Sequence, residues 1–129
     1  MHDKRGNWEY TLSPQADSVT EARALVRDVL APFADPDTIG EIELVVSELV
    51  TNSVVHGPGE PITLRLVTTA NGDIAGEVED RGRGVVAIRE HDPEETIGGW
   101  GLPLVDSLAS EWGVHPDSTH VWFRFAAAA

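Results

Sequence analysis

Cysteine is absent from the 129 residues, which excludes disulfides, thiolate catalysis and cysteine-based metal centres. Lysine is almost absent too, with Lys4 standing alone. An anion bound inside the domain must therefore be held by backbone N–H groups, arginine or a metal ion. No apolar run approaches the roughly 18 residues that a membrane span needs, and none follows Met1-His2-Asp3-Lys4-Arg5. The expectation is a soluble, cytoplasmic protein without a membrane partner. Positive charge is scarce: nine Lys and Arg oppose 22 Asp and Glu, for a formal charge of −13. That balance opposes sequence-independent binding to nucleic acid or anionic lipid. It suits an acidic surface kept for solubility as well as it suits a basic protein partner.

What is present suits one domain over residues 1–129, ordered from about 8 to 125 and frayed at 1–6 and 126–129. Trp8, Tyr10 and Leu12 alternate as on a half-buried strand. Ser18 with Glu21 reads as a capping box, opening a helix whose core face is Ala22, Leu25, Val26, Val29 and Phe33. Asp35-Pro36 opens a second helix that stops near Gly57-Pro58-Gly59. Ile62, Leu64 and Leu66 alternate, Asn71-Gly72 supplies a tight turn, and Ile74 to Asp80 returns as a strand. The stretch from Arg81 to Gly98 has no periodicity. A short helix from Leu102 to Ala109, with Pro103 in its first turn, precedes strands at Trp112–Val114 and Val121–Phe125. The order β-α-α-β-β-loop-α-β-β predicts a two-layer α/β sandwich, its mixed and mostly antiparallel sheet covered on one face by helices.

Three places read as chemistry. On the second helix Glu48, Asn52 and His56 fall along one stripe, flanked by Leu44 and Val55 on one side and Val45 and Leu49 on the other. A carboxylate there can accept a proton, and an amide oxygen is a hard ligand suited to Mg²⁺. Taken alone, the short E-x-x-x-N pattern fits an exposed Glu48 and a locally capping Asn52 equally well. On the returning strand, period two puts Asp80 on the apolar face with Ile74, Gly76 and Val78, while Glu77 and Glu79 point to water. An inward carboxylate wants a donor such as an adenine amine, and Gly82 and Gly84 allow a tight turn and close approach of a flat ring. Gly98-Gly99-Trp100-Gly101-Leu102 runs into a helix N-terminus, where free N–H groups suit phosphate. By itself this run also reads as a hinge, and no parallel βαβ unit surrounds it. Thr119 shares strand parity with Val121, Phe123 and Phe125 and faces inward. His2, His91, His115 and His120 show no metal-ligand spacing, and no serine pairs with a convincing His and Asp.

The matching text runs Ser47-Glu48-Leu49-Val50-Thr51-Asn52 with His56-Gly57, then Asp80 with Gly82 and Gly84. Gly99-x-Gly101-Leu102 with Leu104-Val105, then Trp112-Gly113-Val114 and Val121-Trp122-Phe123 complete it. In this order and at these spacings the chain resembles the Bergerat-type ATP-binding fold shared by gyrases, histidine kinases and their relatives (GHKL). Within it the chain is most similar to the anti-sigma-factor serine/threonine kinase branch, in particular the small single-domain regulators common in actinomycetes. The likeness runs from about Leu12 to Phe125. It implies ATP and Mg²⁺ as cofactors, Glu48 as catalytic base, Asn52 as the Mg²⁺ ligand and Asp80 as the adenine-recognising carboxylate. It also implies Gly82 and Gly84 at the base, residues 85–98 as a lid, and Gly99 and Gly101 at the phosphates with Leu102 behind them. His56 and Thr119 complete the nucleotide-contacting set, Thr119 near the adenine. The implied partners are a sigma factor and an antagonist protein phosphorylated on serine, often with a dimeric kinase.

Several positions depart from that pattern. Ser53 replaces the usual alanine, Trp100 a common basic residue, and Ser118 a glycine before Thr119, while Glu90, Asp92, Glu94 and Glu95 make the lid acidic. Arg81, Arg83 and Arg89 or Mg²⁺ must then offset repulsion of a triphosphate. Two further readings follow: a nucleotide-gated binding module without phosphotransfer, and a degenerate scaffold that takes no nucleotide. A histidine-kinase core is disfavoured, because no phosphoacceptor helix pair is present and Val55 stands where that branch often has lysine.

Overall fold

Period-two alternation decides which face of each strand is buried, and the computed structural model, which describes residues 6–81, 102–116 and 118–127, carries that alternation through the sheet. The elements are β1 (Gly6–Leu12), α1 (Asp17–Leu30), α2 (Pro36–His56), β2 (Ile62–Thr68), β3 (Ile74–Glu79), α3 (Leu102–Leu108), β4 (Glu111–Val114) and β5 (Val121–Phe125). Ile62, Leu64 and Leu66 of β2, Ile74 and Val78 of β3, and Val121, Phe123 and Phe125 of β5 join one core. Ala22, Val26 and Leu30 of α1 and Ile39, Ile42, Val45, Val46, Leu49 and Val50 of α2 meet them from the helical layer. Burial of each large aliphatic side chain contributes about 1.5–3 kcal/mol. The intervening strand residues, among them Arg65, Glu77, Glu79, Trp122 and Arg124, lie on the opposite, uncovered face. This is the expected two-layer α/β sandwich.

Among the described residues five strands take the order β1-β2-β3-β5-β4. All four pairings are antiparallel, rather than mixed as the sequence suggested. Connectivity explains the difference. The β2–β3 and β4–β5 pairs are hairpins, and two helices in succession return the chain to the end of β1 that it left, so β2 runs back along β1. Where β3 meets β5, Gly76 lies opposite Phe123, and a Cβ on Gly76 would stand 2.4 Å from Phe123 Cζ. The buried ring therefore lies across the bare backbone.

Local chemistry departs from expectation at three points. Ser18 is not an N-cap: Ala16 holds that position without a side-chain cap, and Ser18 sits inside α1. Being buried, its hydroxyl must find a partner, and it donates to the Ser13 carbonyl at 2.7 Å, tying the chain after β1 to the helix. Leu30 extends the core face of α1, whereas Phe33 lies beyond the helix end and packs edge-on against Trp8 with centroids 5.5 Å apart. Asn71-Gly72 does turn the chain, but within a longer connection, because residues 69–73 all lie between the strands. Thr69 O accepts the Gly72 N–H, Gly72 takes φ 94°, and Asn71 accepts the Thr69 hydroxyl.

The start of α2 follows the sequence reading, with Asp35 as N-cap and Pro36 in the first turn. The Thr38 hydroxyl donates to Asp35 Oδ1 at 2.5 Å. This bond is the main influence holding the Asp35 carboxyl below the ordinary 3.8; desolvation opposes it, and backbone N–H groups of the first turn add to it. A carboxyl lowered in the folded state adds stability above the unfolded value and loses it as pH falls through the folded value. Thr38→Ala is expected to move the Asp35 pKa up toward 3.8, read by NMR pH titration of that carboxyl. Gly76→Ala is expected to destabilise the fold by about 1–3 kcal/mol through overpacking against Phe123, measured by urea unfolding.

Candidate functional site

Helix α2 belongs to the core along one side and borders solvent along another. Its stripe of Glu48, Asn52 and His56 runs along that border: Glu48 and Asn52 are half-buried, and His56 is exposed in the last turn. The apolar flanks are unequal. Val45 and Leu49 are buried, whereas Leu44 and Val55 are 46% and 64% exposed. Among the described residues the stripe is thus buried along its Val45 and Leu49 flank and exposed along its Leu44 and Val55 flank. The Asn52 side-chain Oδ1 is buried and has no hydrogen-bond partner among the described residues. Such an orphaned amide oxygen costs on the order of 1–3 kcal/mol, and as a hard donor it suits Mg²⁺.

The end of β3 delivers the second group. Asp80 continues the buried parity of Ile74, Gly76 and Val78 and is only 5% exposed. The Thr119 hydroxyl donates to Asp80 Oδ1 at 2.5 Å, so the segment before β5 fixes the carboxylate. The next residue, Arg81, takes φ 66°, a left-handed conformation that disfavours a side chain by roughly 1–2 kcal/mol. Backbone strain of this kind gathers where a chain is forced into a particular approach.

The two groups meet at Gly57, where α2 ends. Gly57 N–H donates to Ser53 O at 3.0 Å. A Cβ there would stand 2.3 Å from Ser53 O and 3.0 Å from Asp80 Oδ2. Because its φ is −78°, this glycine is required by lack of space and not by backbone conformation. Helix end and carboxylate are therefore in contact, and Asn52 lies about 7.5 Å back along the helix axis. Buried Ser53 is compatible with the same crowding. In the sequence Gly57 marks the helix stop and belongs to the His56-Gly57 pair; its contact with Asp80 comes only from the tertiary structure.

Structure thus brings together Asp80, Thr119 and the second half of α2. Leu102 opens α3. Gly82, Gly84, Gly99 and Gly101, with Trp100 and residues 85–98, lie outside the described residues.

The profile of the histidine kinase-like ATPase domain matches residues 12–125. The anti-sigma F factor of Clostridium botulinum (strain Alaska E43 / Type E3) is 31% identical over 93 residues, covering 68% of this chain and 63% of the relative. That of Oceanobacillus iheyensis is 32% identical over 107 residues, covering 70% of this chain and 73% of the relative. The crystal structure of the RsbU and RsbW domains of Rv1364c from Mycobacterium tuberculosis shares the fold, with TM-score 0.69 and 24% identity. That match covers 93% of this chain and 31% of the other. This chain therefore spans less than two thirds of the Clostridium relative and about a third of the Mycobacterium protein. The chain belongs to the histidine kinase-like ATPase family, on the branch of the anti-sigma regulators.

Gly57→Ala is expected to lower stability by about 1–3 kcal/mol by forcing a methyl group against the Ser53 carbonyl and toward Asp80, read as a reduced thermal midpoint.

Proposed function

We propose that the protein binds Mg·ATP and acts in the cytoplasm as a serine/threonine kinase of the anti-sigma type. In this role it holds a transcription factor and phosphorylates an antagonist of that factor. The observation that carries the reading is the buried Asp80 carboxylate, clamped by Thr119 and abutting Gly57, beside a helix whose Asn52 Oδ1 is buried without a partner. Asp80 would accept a hydrogen bond from the adenine amine, with Thr119 fixing its orientation. Asn52 would hold the magnesium ion, and His56 the adjoining end of the nucleotide. Gly82 and Gly84 would line the base, and Gly99, Gly101 and Leu102 the phosphates. When bound, Mg²⁺ neutralises charge on the phosphates.

Glu48 stands one helical turn before Asn52, on the same half-buried stripe. It would accept the proton of the substrate hydroxyl as that oxygen bonds to the γ-phosphorus and the bond to ADP breaks. Positioning and charge neutralisation would supply most of the rate. The transferred phosphoryl group would go to a serine or threonine of the antagonist.

Calorimetry with Mg·ATP, followed by incubation of labelled ATP with proteins captured from the native cell, tests the proposal. Asp80→Asn is expected to weaken nucleotide binding about 10- to 100-fold. Glu48→Gln is expected to retain binding while slowing phosphotransfer about 10²- to 10⁴-fold. Absence of heat in the unaltered protein would overturn nucleotide binding and leave a scaffold. Nucleotide-dependent partner affinity that Glu48→Gln leaves intact, with no transfer by either protein, would instead identify a gated binding module.

A further inference from the structure

The uncovered face of the sheet carries a second constellation, on the side away from α2. His115 and His120 flank the β4–β5 turn and pair across it, His115 N–H donating to His120 O at 2.9 Å. Their rings stack with centroids 4.1 Å apart and planes at 33°. Glu77 reaches them from β3: its Oε2 lies 3.1 Å from His120 Nε2 and 3.8 Å from His115 Nε2. The three donor atoms all fall within 4.8 Å of one another. At Zn–N and Zn–O lengths of about 2.0–2.1 Å, the ligand atoms of a tetrahedral site stand roughly 3.3 Å apart. Small side-chain rotations therefore convert this arrangement into a coordination site.

We propose that Glu77, His115 and His120 bind a divalent transition-metal ion of the zinc type, with a fourth position open to water or another ligand.

Three observations favour an ion over a plain surface ion pair. First, His120 Nε2 is buried and makes no hydrogen bond among the described residues, although Glu77 Oε2 is only 3.1 Å away. The distance is short but the alignment is wrong for N–H donation, whereas a metal requires only the nitrogen lone pair. Second, two imidazoles converge on one carboxylate oxygen, and a proton on either ring can satisfy that ring alone. Third, the carboxylate is already oriented. Arg65 of β2 donates to Glu77 Oε1 at 3.1 Å and to Glu79 Oε1 at 3.2 Å. It also donates to Glu9 at 2.7 Å. Arg65 thereby positions Glu77 with Oε2 toward the histidines, as outer-shell partners do at metal centres. Two imidazoles favour a zinc-, nickel- or copper-like ion over Mg²⁺ or Ca²⁺, which select oxygen. Asn52 and this site are thus chemically distinct. An ion here would tie β3 to the β4–β5 turn, one residue from Thr119, and so stiffen the segment that clamps Asp80.

The sequence shows no metal-ligand spacing among the histidines, and it is the structure that brings His115 and His120 to Glu77. Five positions apart, they become neighbours only through hairpin pairing, and Glu77 joins them across the β3–β5 ladder.

The test uses the full chain, stripped with EDTA and titrated with ZnCl₂ by calorimetry and with CoCl₂ by visible absorption. Expected are one ion per chain, visible ligand-field bands with cobalt, and a thermal midpoint raised by about 5 °C or more at hundredfold excess over Kd. His115→Ala, His120→Ala and Glu77→Gln should each weaken binding at least about tenfold, with His91→Ala as an unaffected control. Absence of zinc binding, or binding undiminished in the His115→Ala/His120→Ala double variant, would overturn the assignment. Should either alanine variant unfold, the cobalt spectrum of the unaltered protein decides alone: bands with two-nitrogen ligation support the site, and an aquo-ion spectrum refutes it.

Discussion

Burying the Asp80 carboxylate is the most demanding thing this fold does. A charged group taken from water is costly unless donors meet it, and here those contacts come from distant parts of the chain. Thr119 approaches from the segment before β5, and Gly57 marks the point where α2 closes against it. For the contact to exist, β3 and β5 must pair in register, α2 must lie across the sheet, and its last turn must end without a side chain. The core that holds α2 down is therefore also what builds the candidate site.

The same coupling fixes which side of α2 meets the core. Its buried residues, from Ile39 and Ile42 to Ser53, recur at helical spacing and form one continuous side of the helix. The polar stripe falls at the margin of that surface, with Leu44 and Val55 exposed beyond it. A stripe inside the core would be inaccessible, and one on the solvent face would be fully hydrated. At the margin, Asn52 keeps a desolvated side-chain oxygen with no hydrogen-bond partner among the described residues.

The two faces of the sheet divide the chemistry. The covered face carries the buried Asp80 and the Thr119 hydroxyl that bonds it. The open face carries alternating charges, in which Arg65 links Glu9, Glu77 and Glu79 while Arg124 links Asp73 and Glu111. Exposed pairs of this kind contribute little stability individually. Their clearer consequence is orientation, because a guanidinium held by several carboxylates fixes each of them.

Element order, strand parity, the Asp35-Pro36 start of α2 and the inward direction of Asp80 could all be read from the chain, since each depends on neighbours a few residues away. Tertiary structure alone decided the rest. Ser18 bonds Ser13 because burial, not helix-end chemistry, sets its partner. Gly57 is crowded by the Ser53 carbonyl four positions back and also by a carboxylate 23 positions on, and His115, His120 and Glu77 assemble only once two strand pairings have formed. Local periodicity reports which side of an element meets the core. Which side chains meet one another depends on register and layer packing, and no single segment encodes those.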